Sequence, residues 1–143
     1  LQVDLETPTK YSKDPYNKAA VEHYNEAIKL HKAGFLSKAI FEYQAAIDED
    51  IRVVEAWTNL GVIYGIQKNY KAATNSFDHA LEISPENLVA LNGYATCLYE
   101  MGRREEALKV LQTALKVSPN FKPTLVNLNQ FQKVIEPLKS PSH

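Results

Sequence analysis

Several side chains able to do chemistry are present, but their spacing keeps them apart. The four histidines are His23, His31, His79 and His143. No two stand four residues apart, the spacing at which one helix face offers a pair of imidazoles to zinc. Cys97 is the single cysteine and has no base beside it in the sequence, so an inert core thiol is expected rather than a nucleophile. Ser76, Asp78 and His79 fall within about one helical turn, where neighbouring positions point apart and cannot face one another as a triad must. Asp48, Glu49 and Asp50 diverge in the same way and cannot share a proton, so they read as a solvated helix end. Gly61 and Gly65 are four apart, but no strand precedes them to form a phosphate-binding turn, and their flanks are those of an amphipathic helix. Catalytic residues, metal ligands and cofactors are therefore all expected to be absent.

The elements that must position these groups follow from composition and periodicity. The chain has 143 residues, 45% hydrophobic and 23% charged, enough apolar mass for a core. Sixteen Lys and Arg against 17 Asp and Glu leave a net charge of -1, with no basic stripe, so neither nucleic acid nor an acidic membrane surface is expected as a partner. No run approaches the roughly 20 apolar residues that cross a bilayer, so membrane insertion is not expected either. The opening residues lack the pattern of a signal peptide. The chain does not begin with Met and reads as a fragment or processed form. With no Asn-x-Ser/Thr acceptor site, a cytoplasmic location is the expectation.

The sequence repeats itself. Trp57, Leu60, Gly61, Tyr64, Ala73, Phe77, Ala80 and Pro85 recur 34 residues later as Leu91, Tyr94, Ala95, Leu98, Ala107, Leu111, Ala114 and Pro119. The same step backwards gives His23, Glu26, Ala27, Leu30, Ala39, Tyr43, Ala46 and Ile51, a degenerate copy. The step forwards gives Leu125, Leu128, Asn129 and Gln132, half a copy. Within each copy apolar residues fall at i, i+3, i+4, i+7, the stripe of an amphipathic helix, and two helices per copy follow. The spacing predicts helices near 15–33, 37–50, 54–67, 71–83, 88–101, 104–117 and 122–136. Asp14 before Pro15 and Ser37 are the expected N-caps, Gly34 and Gly102 the expected left-handed C-caps, and Pro85 and Pro119 the expected stops. Trp57 and Phe77 are expected in the core between helices.

These residues resemble the tetratricopeptide repeat (TPR), whose Trp-x2-Leu-Gly-x2-Tyr, Ala-x3-Phe-x2-Ala and Pro signature the middle copy matches at every position. The resemblance implies an all-α fold: a right-handed superhelical solenoid of antiparallel helix pairs, three TPRs plus a C-terminal capping helix. The expected divisions are an extended segment over 1–13, repeats at about 20–53, 54–87 and 88–121, a capping helix at 122–136 and a tail over 137–143. Segment 1–13 shows no helical pattern and is expected to lie against the solenoid or a neighbouring molecule.

Such a solenoid presents a concave surface lined by the first helix of each pair. On the family's pattern the lining comprises Tyr24, Asn25, Ile28, Thr58, Asn59, Val62, Asn92, Thr96, Tyr99, Asn127 and Gln130. The clamp of Lys and Asn residues by which chaperone-binding TPR domains hold a C-terminal carboxylate corresponds to Tyr24, Ile28, Asn59, Val89 and Gly93. Only Asn59 agrees, so that mechanism is not expected. A second likeness is to the O-linked N-acetylglucosamine transferase type of array, with an asparagine just before the Leu-Gly pair of successive repeats. The corresponding positions are Asn25, Asn59, Gly93 and Asn127, with Asn92 beside the gap. Either these amides form a ladder that pairs with an extended peptide backbone, for which Gly65 and Gly93 leave room, or they serve local hydrogen bonds. The implied function is a non-enzymatic interaction module that binds an extended, largely uncharged peptide of a partner protein. The alternatives are an adaptor that assembles through its terminal helices, as a homo-oligomer with Phe121 or Phe131 at the contact, and the recruiting arm of a larger enzyme.

Overall fold

A computed structural model describes residues 15–133, and all of its regular elements are helical: α1 (Lys18–Lys32), α2 (Leu36–Glu49), α3 (Val54–Ile66), α4 (Tyr70–Ile83), α5 (Leu88–Glu100), α6 (Arg104–Val117) and α7 (Lys122–Lys133). Each helix packs on the next, and the first helices of successive pairs also touch, α3 on α5 and α5 on α7. The chain is an all-α repeat solenoid.

The two kinds of turn recur for physical reasons. Inside each pair the first helix closes with a residue at positive φ: Gly34 at 89°, Lys68 at 63° and Gly102 at 84°. The following amides of Phe35, Asn69 and Arg103 then reach back to the carbonyls of Leu30, Tyr64 and Leu98, satisfying a carbonyl that the helix end would otherwise leave open. Between pairs the second helix stops at an extended residue, Asp50, Ser84 or Ser118, whose amide closes on Ala46, Ala80 or Ala114. Pro85 and Pro119 follow two of these stops, as expected. The first repeat stops in the same way with Ile51 in that place, so proline reinforces the break without being required for it.

The caps differ from expectation. Asn17, not Asp14, caps α1, its Oδ1 accepting from the amides of Ala19 and Ala20 at 2.8 and 3.3 Å, while Asp14 lies outside the described residues. Ser37 sits within α2, whose N-cap is Phe35 with no side-chain hydrogen bond. Asn69 and Asn87 cap α4 and α5 by accepting from Ala72 and Ala90. The expected helix end at 136 and segments 1–13 and 137–143 also extend outside the described residues.

The core is built in layers of small and large residues. Ala27, Ala39, Ala46, Ala73, Ala80, Ala95, Ala107 and Ala114 are wholly buried, and Tyr43, Phe77 and Leu111 fill the equivalent space in the three pairs. Trp57 is only partly buried. It stacks on the His79 ring at a centroid separation of 4.2 Å and donates its indole N–H to the Ile51 carbonyl at 3.0 Å. Asp50 corrects the expectation of a solvated acidic end, for it is buried and held by Arg52, while Asp48 and Glu49 are exposed.

Candidate functional site

The first helices α1, α3, α5 and α7 place the expected lining residues in two different settings. Asn25, Thr96 and Gln130 are exposed, and Ile28 and Val62 are partly buried. Three others leave the surface altogether. Tyr24 is fully buried, and Thr58 and Asn92 are nearly so, because their positions face the neighbouring helices of the stack. These three are core residues and not groove residues.

The amides are largely consumed within the fold. Asn59 Nδ2 donates to the Tyr24 hydroxyl at 3.2 Å, linking α3 to α1. Asn92 Nδ2 donates to the Leu88 carbonyl at 3.0 Å and to Thr124 Oγ1 at 2.8 Å, and its Oδ1 accepts from Asn127 Nδ2 at 3.0 Å. Asn59, Asn92 and Asn127 thus bond chiefly between helices of the stack rather than to their own turn or to an open groove, and Asn25 is the exposed member of the row. Only spatial neighbours could reveal this, since the partners lie 32 to 35 residues away.

Aromatic and imidazole groups pack against one another both within a helix pair and between repeats. His31 Nδ1 meets the Tyr43 hydroxyl at 2.9 Å with the rings edge to face. Burial holds the His31 imidazole below its ordinary pKa, and pushes the Tyr43 phenol up to about 12. Burial likewise raises the Tyr24 phenol well above its usual value, so both hydroxyls are neutral hydrogen-bonding groups. In the last layer Tyr99 stacks flat on Phe131, centroids 4.0 Å apart and planes 3° from parallel. Tyr99 is therefore partly buried by the capping helix, and Phe131, at 2% exposed, is unavailable as an oligomer contact.

Between α3 and α5 lies a cleft of about 570 Å³, bordered by Gly61, Val62, Gly65, Ile66, Lys68, Tyr70, Phe77, Gly93, Thr96, Cys97 and Glu100. Its walls are mostly apolar. Gly93 is not an opening for a ligand backbone, because a Cβ there would lie 2.3 Å from Phe77 Cζ; the glycine is required by the ring. Gly65 is different. A Cβ there would meet only Cys97 Sγ, at 3.8 Å. Burial pushes the Cys97 thiol up to about 11, so it is not poised as a nucleophile. Among the described residues no group of three or more His, Cys, Asp and Glu is arranged to hold a metal ion, and no helix is long and apolar enough to cross a membrane.

Comparison with known proteins decides the family. A tetratricopeptide repeat model matches residues 66–128, on the 34-residue register that the helix pairs follow. The chain belongs to the tetratricopeptide repeat family. This TPR chain is 32% identical over 99 residues to the human PEX5-related protein, a match covering 69% of the chain and 16% of that relative. It is 27% identical to the probable UDP-N-acetylglucosamine–peptide N-acetylglucosaminyltransferase SPINDLY of Solanum lycopersicum, covering 59% of the chain and 9% of the relative. The TPR chain thus corresponds to a small part of these relatives. Among solved structures, the first TPR of Spaghetti (RPAP3) bound to the HSP90 peptide SRMEEVD superposes with a TM-score of 0.79, 20% identity and coverage of 83% of this chain and 94% of that one. The Arabidopsis OM64 TPR domain gives a TM-score of 0.78 at 20% identity, covering 81% and 96%. The chain is a TPR domain, a fold built for protein–protein interaction.

Proposed function

We propose that this TPR domain is a non-enzymatic module that holds an extended, largely uncharged segment of a partner protein along the surface of its first helices. One observation carries the reading. Ile66 (61% exposed), Val89 (50%) and Val126 (53%) stand in water on three successive first helices, and Asn25, Thr96 and Gln130 expose polar groups on α1, α5 and α7. Such a surface rewards apolar side chains and main-chain amides and offers little to a highly charged ligand. The RPAP3 relative's HSP90 peptide shows that this fold can hold a peptide, but the carboxylate clamp is not reproduced here. Of its positions only Asn59 agrees, and the Asn59 amide is engaged by Tyr24.

The test uses a peptide selected from a random display library on the full chain. Ile66→Asp combined with Thr96→Asp should weaken that peptide at least tenfold, whereas Gln112→Asp, at an exposed position on α6, should leave it unchanged. Equal binding by all three proteins removes the first-helix surface from the account. The second reading, self-association, is favoured by Phe41, which is 68% exposed on α2 of the first helix pair. Sedimentation of wild type and Phe41→Glu separates it: a dimer lost on substitution supports it, and a monomer at all concentrations ends it.

A further inference from the structure

The repeat supplies its own control for the cleft between α3 and α5. Position 65 has equivalents at 31 and 99, one repeat to either side. At these positions His31 bonds to Tyr43, and Tyr99 stacks on Phe131. Position 93 has equivalents Asn59 and Asn127, whose amides are engaged by Tyr24 and Asn92. In the middle layer both positions are glycine; the Phe77 ring takes the place of a side chain at Gly93, and the cleft of about 570 Å³ opens beside Gly65. A planar ring thus stands at this position in the repeats on either side, packed on Tyr43 of its own pair at 31 and on Phe131 of the capping helix at 99, whereas position 65 carries none. The volume is ample for one more aromatic side chain.

A second, independent observation lies at the end of the cleft formed by the helix C-termini. Lys68 occupies the left-handed turn position that is glycine at 34 and 102, and it does so at a φ of 63°. A side chain in that conformation is strained relative to glycine, because its Cβ crowds the following carbonyl. Its ammonium belongs to an exposed residue with no ion-pair partner among the described residues, and it borders the cleft together with Glu100. A cation at the mouth of an apolar slot complements the negative face of an aromatic ring. Strain kept at the edge of a cleft points to a use for the side chain that carries it.

We propose that the α3–α5 cleft is a specificity pocket for one aromatic side chain of the bound peptide, inserted in place of the ring that the chain itself supplies at His31 and Tyr99, with Lys68 against its face. This deepens the peptide-binding reading and rests on it. The probe is a peptide selected from the random library, synthesised with each aromatic residue in turn replaced by Leu and by Ala. Binding is followed by titration and by amide NMR shifts of Gly65 and Thr96. One aromatic position should lose at least tenfold on replacement by Ala and less by Leu. Gly65→Tyr, which fills the pocket from within, should abolish that dependence and weaken the parent peptide at least tenfold while the fold keeps its helical spectrum. Lys68→Gly should weaken binding about threefold although it relieves the strained turn, a result that a purely structural role for Lys68 would not give. Peptides that shift these amides yet bind equally well without any aromatic residue overturn the pocket and leave the groove standing. A library that yields no peptide on the first-helix surface overturns the groove reading, and the pocket with it.

Discussion

The Phe77 ring lies so close to the backbone of Gly93 that a Cβ at that position would sit 2.3 Å from Cζ, and the same ring would meet a Cβ at Gly61 at 2.6 Å. One buried aromatic residue of α4 therefore dictates glycine on two facing helices. The absent rung in the asparagine row at position 93 is a packing requirement.

From this follows a contrast between glycines. Gly61→Ala and Gly93→Ala should each destabilise the fold by about 1–3 kcal/mol, because the buried ring must leave its place. Gly65→Ala should stabilise it by about 0.5–1 kcal/mol, since its Cβ meets only Cys97 Sγ at van der Waals distance and alanine favours a helix interior. Chemical denaturation of the three variants gives the signs directly. A gain in stability for Gly93→Ala would mean that Phe77 is not seated where the structure puts it.

The two aromatic residues of the repeat signature should differ. Phe77→Ala empties a buried site and should cost about 3–5 kcal/mol. Trp57, partly exposed and stacked on His79, should cost clearly less on truncation. Thermal melts ranking Trp57→Ala below Phe77→Ala would contradict this order.

Asn92 sits nearly buried between Thr124, which is fully buried, and Asn127. Asn92→Ala strips both of a partner and should cost about 1–3 kcal/mol, with fraying of α7 seen first in hydrogen exchange. Unchanged exchange protection in α7 would show that this network does not hold the capping helix.

Acid should weaken the first repeat through Asp50. Its carboxylate accepts from Arg52 Nε and Nη2 at 2.9 and 2.7 Å and from the Asn17 amide at 2.8 Å, and Arg52 in turn reaches the Pro15 carbonyl. The Arg52 hydrogen bonds, aided by the Asn17 and Arg52 amides, hold its pKa below the usual carboxylate value against the opposing effect of burial. The unfolded chain takes up the proton more readily, so this stability is complete above the ordinary carboxylate pKa and is lost as pH falls through the depressed folded value. Asp50→Asn should be less stable at neutral pH and show a shallower acid decline than wild type in urea titrations. Parallel pH profiles for the two would contradict the linkage.

Cys97 should resist alkylation. With its thiol buried and raised to about 11, iodoacetamide near pH 8 should modify it at least tenfold more slowly than free cysteine, as read by mass spectrometry. Rapid, complete labelling would contradict the burial.

The helices and their order were legible in the sequence because a 34-residue period and an i, i+3, i+4, i+7 stripe are local patterns, and a repeat whose apolar face must be buried has no better place for it than the next repeat. Gly34 and Gly102 announced their turns for the same local reason; Lys68, in the equivalent turn, carried no such mark. What the sequence could not decide was where each polar side chain spends its hydrogen bonds. Asn59, Asn92 and Asn127 look alike in a row of amides, and only the stacking of helices 32 to 35 residues apart turns them towards Tyr24, Thr124 and one another. The cleft has the same origin. Gly65 and Gly93 look equally open in the sequence, but once α3 lies on α5 the Phe77 ring fills the place of a side chain at Gly93 while Gly65 leaves a space at the position where His31 and Tyr99 stand in the neighbouring repeats. Periodicity fixes the elements because backbone geometry is local, while the binding surface waits for tertiary structure because vacancy and hydrogen-bond partnership belong to pairs of distant residues.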